Sequence, residues 1–417
     1  MNVRDQSAGL YIHIPFCHAR CGYCDFVTFT GKEDRIAAYV ENLCCEMDLY
    51  KKMFEIPSPR VGEGLGEGTY GRKRLDPSSP PSPTPPLRIG GSAKAIVAER
   101  GEGVLKTIFF GGGTPSLLEG PQIARILQHA RRQFLISADA EITMEANPES
   151  LTEDKARAWR AAGVNRLSLG LQAMDDALLK TMDRLHTVAE FHAAYESARN
   201  AGFDNINIDL IYGFPGQSMA AWQDTVQKTI ALNPEHVSMY ALAIEEHTPF
   251  AAQKITVNAD DQGDMYAWAR GAMSAAGYPQ YEISNFARSG RECRHNLIYW
   301  RQQDYLAVGA GAVGCIGHKR WTNHKTLHAY EQDIQAGRLP RLSVETLTDQ
   351  ERRFERLMLG LRLREGLEWG EESNPAWQDQ RRKLVREGHL EEIRPGRWRV
   401  TEKSVAFTNK VLLPFLD

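Results

Sequence analysis

Three of the seven cysteines stand within eight residues of one another, as Cys17, Cys21 and Cys24 in the string YIHIPFCHARCGYCDF. The C-x3-C-x2-C spacing directly follows a short apolar run, so a strand delivers all three thiols into one loop. Thiolate is the usual iron–sulfur ligand and four cysteines normally close a [4Fe-4S] cubane, so three leave one iron with an exchangeable position. The other reading of such a loop is a zinc site whose fourth ligand, His18, lies nearby. Zinc leaves the glycine and carboxylate motifs further along the chain without a role.

Those motifs follow other apolar runs. In FFGGGTPS the residues Gly112, Gly113 and Thr114 sit where glycines let backbone groups approach a polar ligand closely. Three glycines alone make only a tight turn, and it is the strand before and the helix after that suggest a site. Glu145 in ITMEANPES ends an apolar run, where a carboxylate is costly unless it meets a partner such as ribose hydroxyls; a helix cap or a salt bridge is the plainer alternative. Asp209 stands between Ile208 and Leu210 and is expected to be paired or functional. Arg184, on a predicted helix end, has plain solvation as its alternative.

The elements that position these groups form a simple series. Short β-branched runs at Leu10 to Ile14, Lys106 to Phe110, Glu141 to Met144, Arg166 to Leu171, Asn205 to Ile211 and His236 to Leu242 are each followed by a helix pattern. Alternation of this kind predicts an α/β fold with a parallel sheet. Right-handed crossovers would curl it into a partial (β/α)6 barrel, with active groups at the strand C-terminal ends. The Pro/Gly/Ser-rich stretch 56–103 reads as a disordered insertion. Barrel sequence is expected over 1–285, a linking segment over 286–345, and a smaller domain over 346–417. In the last, helices over Gln350 to Leu363 and up to Glu387 precede a hairpin turning at Pro395-Gly396, a winged-helix-like α+β pattern. Mixed charge there favours packing or interaction over DNA binding.

Bulk properties exclude several classes. Fifty basic against 53 acidic residues give a net charge of −3, without the basic footprint of a nucleic-acid binder. The N-terminal residues lack a signal peptide's apolar region and no run approaches the ~20 residues of a membrane span, so the cytoplasm is expected. Peripheral attachment to a membrane surface stays open. The cysteine pattern does not suggest a disulfide framework, and Cys44, Cys45, Cys293 and Cys315 read as buried small hydrophobes.

With these residues in view, the cysteine loop resembles that of the radical S-adenosylmethionine (SAM) superfamily, and its surroundings are similar to the oxygen-independent coproporphyrinogen III oxidase group, from Tyr11 to the C-terminus. The resemblance implies a [4Fe-4S] cluster on Cys17, Cys21 and Cys24 whose open iron is chelated by S-adenosylmethionine, and an electron donor, because one electron from the cluster cleaves the sulfonium to a 5′-deoxyadenosyl radical. It implies contact of Gly112 with the cofactor, with Gly113 and Thr114 close by, and places Tyr11 and Tyr23 beside cluster and cofactor. Glu145, Gln172, Arg184 and Asp209 match polar cofactor contacts; in the oxidase some of these positions serve a second S-adenosylmethionine.

Two departures separate the sequence from the oxidase. Cys24 is followed by Asp25 and Phe26 where the oxidase carries a fourth cysteine, and only ten residues precede Tyr11 where the oxidase has a long segment. Both features resemble the heme-chaperone branch, HemW, which binds heme and passes it to acceptor proteins. HNLIYW, with His295, Asn296, Tyr299 and Trp300, resembles the HNxxYW signature of that branch. Imidazole is a common heme ligand and aromatic rings flank porphyrin faces, so His295, Tyr299 and Trp300 are candidate heme contacts; bracing of the barrel is the alternative. His13 and His186 are expected to hydrogen-bond locally. Heme is then a cargo, with radical oxidative decarboxylation of coproporphyrinogen III as the alternative activity.

Overall fold

Alternation with a period of two shapes every central strand. In β1 (Ala8–Ile14) the side chains of Leu10, Ile12 and Ile14 are buried against helices, while Tyr11 and His13 face the opposite way. The same division holds in β2 (Leu105–Gly112), β3 (Ile136–Ala146), β4 (Arg166–Gln172), β5 (Ile206–Tyr212) and β6 (His236–Ala241). One face of these strands carries Ile108, Met144, Leu169, Ile208 and Met239 into the main apolar core. The other carries Thr107, Thr143, Arg166, Ser168, Asn207, His236 and Ser238, all buried. Parallel strands covered on both sides usually read as unbroken apolar runs; the polar face here lines the inside of a curved sheet.

The computed structural model describes residues 8–55, 104–369 and 375–415. The stretch 56–103, expected as a disordered insertion, lies outside the described residues. Strands β1 to β6 are hydrogen-bonded in sequence order and all parallel, so the six expected runs form the six strands of a partial barrel. Helices α1 (Ile36–Glu55), α2 (Gly120–Gln133), α3 (Glu153–Ala162), α4 (Asp176–Thr181), α5 (Val188–Asn200), α6 (Met219–Ala231) and α7 (Ala259–Ala275) connect them. Their starts are set by side-chain caps: Thr152 accepts from Lys155, Ser218 from Ala221, and Thr187 forms a capping box with Glu190. Neighbours on a helix point about 100° apart, so in α1 Cys44 is buried but Cys45 is exposed, against the expectation that both were core residues.

Beyond β6 the chain adds β7 (Asn285–Ala287), antiparallel to it, and α8 (Arg294–Trp300). The segment 286–345, expected only as a link, is built into the sheet. β8 (Tyr305–Val308) pairs with the open edge of β1, and β9 (Val313–Ile316), β10 (Lys319–Asn323) and, after α9 (Leu327–Gln335), β11 (Arg341–Thr346) extend it to eleven strands. An uncovered β1 would present a row of unpaired backbone groups. The extension is pinned by one buried carboxylate: Glu46 of α1 accepts from Gly309 N and the Tyr330 hydroxyl at 2.8 Å each, and from Asn323 Nδ2 at 2.7 Å.

The last part has an apolar cluster of its own, including Leu357, Leu361, Trp369, Leu384, Leu390 and Val400. It is built from α10 (Asp349–Gly360), β12 (Leu367–Glu368), α11 (Pro375–Arg386) and the hairpin β13 (Leu390–Arg394) and β14 (Arg397–Val400), which turns at Pro395-Gly396.

Burial pushes the Glu46 carboxyl from its ordinary 4.5 up to about 7, against the lowering effect of its donors. Between those values the folded chain holds a proton that the unfolded chain has lost, so this group's contribution is complete below the lower value and disappears as pH rises through the upper. Urea unfolding across that interval should show stability falling with pH, by up to ~3 kcal/mol from this residue. The slope should be shallower in Glu46→Gln; equal slopes would show that Glu46 is not the source.

Candidate functional site at the barrel mouth

The sulfur loop hangs between two short parallel segments, Phe16–Cys17 and Phe29–Thr30, at the C-terminal end of β1. A turn closed by Cys24 N on Cys21 O, at 3.1 Å, brings the second and third thiols around, and the Arg20 guanidinium donates to Cys24 O. Cys17 is buried, and Cys21 and Cys24 are half-buried. Burial pushes the Cys17 thiol up to about 11, a hydroxyl bond from Thr114 lowers it, and the other two thiols raise it further. His18, the fourth ligand of the zinc alternative, lies 3.4 Å from Glu33. Among the described residues no set of three His, Cys, Asp or Glu side chains converges as a single ion would require.

The glycine turn locks onto this loop through the backbone. Gly113 N donates to Ile14 O and Thr114 N to Phe16 O, both at 2.8 Å. A Cβ on Gly113 would stand 2.8 Å from Phe16 O and 2.9 Å from Ile14 O, and one on Gly112, at φ +113°, would meet the His13 ring. Gly112 N donates to Glu145 Oε2 at 3.1 Å. The N–H groups expected to face a ligand are therefore committed inside the protein.

Glu145 lies inside the mouth, where burial and the Asp209 carboxylate push its carboxyl up to about 8. Asp209 is also raised, by burial, but it accepts from Ser168 at 2.9 Å and Asn207 at 2.8 Å. The two carboxylates and the Tyr11 ring share one electrostatic environment. Tyr11 and His13 are linked at 3.0 Å, and His13 reaches Val27 O at 2.9 Å, so this histidine bonds locally as expected.

Arg184 follows α4 and turns inward. Its Nη1 donates to Cys21 Sγ at 3.6 Å, and its Nη2 donates to Asn147 Oδ1 at 2.8 Å and Gly170 O at 3.1 Å. Its Nε is buried without a partner. Tyr23 packs on Phe250, with Arg184 and Cys21 close to its hydroxyl. Gln172 ends β4 at φ +70°, a conformation rare for a residue with a Cβ and one that collects at functional sites. His186 contacts Leu171 O and Glu149.

The opposite end of the barrel is closed by α8. Glu141 accepts from Arg294 N and His295 N at 3.1 Å each. The His295 ring is buried, with Nδ1 2.7 Å from the Thr107 hydroxyl and Nε2 2.8 Å from the Tyr299 hydroxyl, and it stacks on Phe109. Burial pushes it down to about 3, so it is neutral. This is the bracing arrangement: both His295 ring nitrogens are engaged, and of the three candidate heme contacts Tyr299 and Trp300 are half-exposed. The motif lies at the level of Gly9 and Thr107, five residues or roughly 16 Å along the strands from the cysteine mouth.

A model of the radical SAM superfamily matches residues 11–229. The heme chaperone HemW of Mycobacterium tuberculosis is 34% identical over 373 residues, covering 87% of this chain and 83% of the relative. HemW of Bacillus subtilis is 33% identical, covering 86% and 84%, and HemW of Escherichia coli is 35% identical, covering 74% and 70%. The chain belongs to the HemW family of radical SAM proteins. The coproporphyrinogen III oxidase HemN of E. coli, a radical SAM enzyme, superposes with a TM-score of 0.75 over 98% of this chain and 90% of that one, at 23% identity, a likeness of fold.

For this HemW family member, the mouth brings together every residue that resemblance assigned to cluster and cofactor, while His295, Tyr299 and Trp300 stand at the far end. Two polar residues escaped the sequence reading. Asn147 stands in ITMEANPES without an assigned role, and Arg166 opens a predicted strand. The Arg166 side chain is 2% exposed, has no hydrogen bond or ion pair among the described residues, and has a buried Nε; the alternation in RLSLGLQ was the available signal.

Because the glycine turn and sulfur loop touch through backbone, Gly113→Ala should leave the far-ultraviolet circular dichroism near that of the natural chain. Iron bound after anaerobic reconstitution should fall severalfold. Retention of full iron would show that this contact does not set the thiols.

Proposed function

We propose that this chain binds heme and hands it to acceptor proteins, and that its mouth holds a [4Fe-4S] cluster on Cys17, Cys21 and Cys24 with S-adenosylmethionine beside it. The carrying observation is the identity with heme chaperones over both the barrel and the C-terminal part; the likeness to the oxidase is one of fold alone. The donor set suits the cluster, because three thiols at one mouth face a guanidinium, a hydroxyl and a backbone N–H. It also suits the cofactor. The orphaned Nε of Arg184 matches an anionic group, and Glu145 and Asp209 match hydroxyl or ammonium donors. Gly112, Gly113 and Thr114 have no N–H to spare, so the turn offers a ligand its carbonyl oxygens. Tyr11, Tyr23 and Gln172 complete the wall.

When bound, cluster and S-adenosylmethionine supply one-electron chemistry, which requires an electron donor. The protein's part is to keep the thiols together, shield them and fix the charges around them. Heme needs apolar surface. Phe26, two residues past Cys24, is 60% exposed, and Leu185, directly after Arg184, is 54% exposed. Each adjoins a residue of the sulfur-loop mouth in sequence and offers apolar surface to a flat porphyrin; Trp300 and Tyr299 offer aromatic surface at the other end. No helix of the described residues is long and apolar enough to cross a membrane.

Hemin titrations separate these contacts. The Phe26→Ala/Leu185→Ala double variant should bind hemin at least roughly tenfold more weakly, given ~1.5–3 kcal/mol for each large apolar group buried. His295→Ala should keep the natural heme spectrum while unfolding at lower temperature; loss of the Soret shift would return His295 to the ligand set. Anaerobic incubation of the reconstituted chain with S-adenosylmethionine and coproporphyrinogen III should yield no protoporphyrinogen. Sustained formation would replace the chaperone reading with the oxidase one.

A further inference from the structure

Cys17 and Cys21 each receive a side-chain hydrogen bond from one connected chain of groups, with the Tyr23 hydroxyl also beside Cys21. The Thr114 hydroxyl donates to Cys17 Sγ at 3.2 Å. Asn147 Nδ2 donates to that hydroxyl oxygen at 3.3 Å, which leaves its hydrogen for the sulfur. On its other side, Asn147 Oδ1 accepts from Arg184 Nη2 at 2.8 Å, and Nη1 of the same guanidinium points to Cys21 Sγ at 3.6 Å. One amide therefore orients both donors, each through the atom of the right polarity.

Asn147 is itself held rigidly. Its N–H donates to the Ser116 hydroxyl at 3.0 Å and its carbonyl accepts from Ser150 at 3.0 Å, so the turn that begins at Pro148 fixes it from both sides. Its side chain thus spans the C-terminal ends of β2 and β4, from Thr114 to Arg184. The third thiol, Cys24, takes its donor from the Phe26 backbone N–H, outside this chain of groups. Donors on thiolate sulfur favour the more negative, reduced form of a cluster and raise its potential. A guanidinium beside the sulfur acts in the same direction.

We propose that Asn147 is a positioning residue that sets the reduction potential of the cluster by aiming Thr114 at Cys17 and Arg184 at Cys21. The proposal rests on the cluster reading of the cysteine loop, and its test tells the two apart. The full chain and its Asn147→Ala, Asn147→Asp, Thr114→Val and Thr114→Ser variants would be reconstituted anaerobically, assayed for iron and sulfide, and titrated against potential with paramagnetic resonance of the reduced cluster as readout.

Asn147→Ala and Thr114→Val should keep natural iron and sulfide yet have lower midpoints, a tenfold change in the reduction equilibrium being about 59 mV. Asn147→Asp should also be lower, since its carboxylate draws the Thr114 hydrogen away from Cys17. Thr114→Ser, which keeps the hydroxyl, should stay near the natural value. Combining Asn147→Ala with Thr114→Val should shift the midpoint by less than the sum, because the two act on one bond. Natural midpoints in both Asn147 variants at full iron overturn the proposal and leave the cluster reading standing. If Asn147→Ala loses iron, Asn147→Asp and Thr114→Val decide on the same criteria. A natural chain that takes up no cluster overturns the cluster reading, and this proposal with it.

Discussion

Of the three thiols gathered in one short loop, Cys17 and Cys24 resist losing their protons, chiefly through burial, and the architecture of the mouth answers that constraint. Burial is the largest of the causes that push Cys17 up to about 11, and the neighbouring thiols act in the same direction. Cations and donors must offset it. Arg184 brings the nearest positive side chain to Cys21, Thr114 brings a hydroxyl to Cys17, and the loop's own backbone serves Cys24. None of these donors is local to the two cysteines it serves through its side chain. Thr114 and Arg184 come from different βα connections, 97 and 163 residues away in sequence, so the sulfur loop is set up only once the parallel sheet has closed around it.

The same sheet explains why a polar interior survives. Leu167, Leu169 and Leu171 anchor β4 in the apolar core, which leaves Arg166, Ser168 and Gly170 to the inside. Each polar group there is costly unless paired. Asn207 binds Ser168, Asp209 and His236, and His236 continues to the Tyr281 hydroxyl, so one network crosses three strands. Glu145 has a single backbone donor, and burial with the Asp209 carboxylate pushes it up to about 8; the Arg166 guanidinium is under the influence of Cys293, Glu141, Tyr281 and Asp209, and its buried Nε meets no hydrogen-bond partner among the described residues.

Much of this was readable beforehand because strand, turn and helix each left a local signature. The six runs appear as β1 to β6, and the residues at their C-terminal ends converge as parallel βα units require. What escaped depended on distance. Strands β8 to β10 are four or five residues long and gain their pairing only from β1 or from each other, so no periodicity announces them. Arg184 matched a cofactor contact through resemblance, with plain solvation as its alternative, and nothing local decides between them because its partners, Cys21 and Asn147, are remote in sequence. His295 read as a candidate ligand by its residue type, yet Thr107 and Tyr299 occupy both nitrogens, and nothing adjacent to HNLIYW predicts Thr107.

The two ends of the barrel are nevertheless one packed object. From the floor, the His295 ring stacks on Phe109 with centroids 5.1 Å apart and faces Tyr11 at 6.5 Å; Tyr11 meets His13, and His13 holds Val27 O just past the third cysteine. The line from His295 through Phe109 and Tyr11 to His13 is made of rings, and in a close-packed interior each fills the space beside the next. Removing His295 opens a cavity beneath Phe109 and Tyr11 and frees the Thr107 hydroxyl, which must then find another partner. Tyr11 lies next along this line, and its hydroxyl meets the His13 ring beside the glycine turn. In this fold, the HNxxYW helix braces the strands that lead to the sulfur loop, through His295 on Thr107 and through Glu141 on the Arg294 and His295 N–H groups.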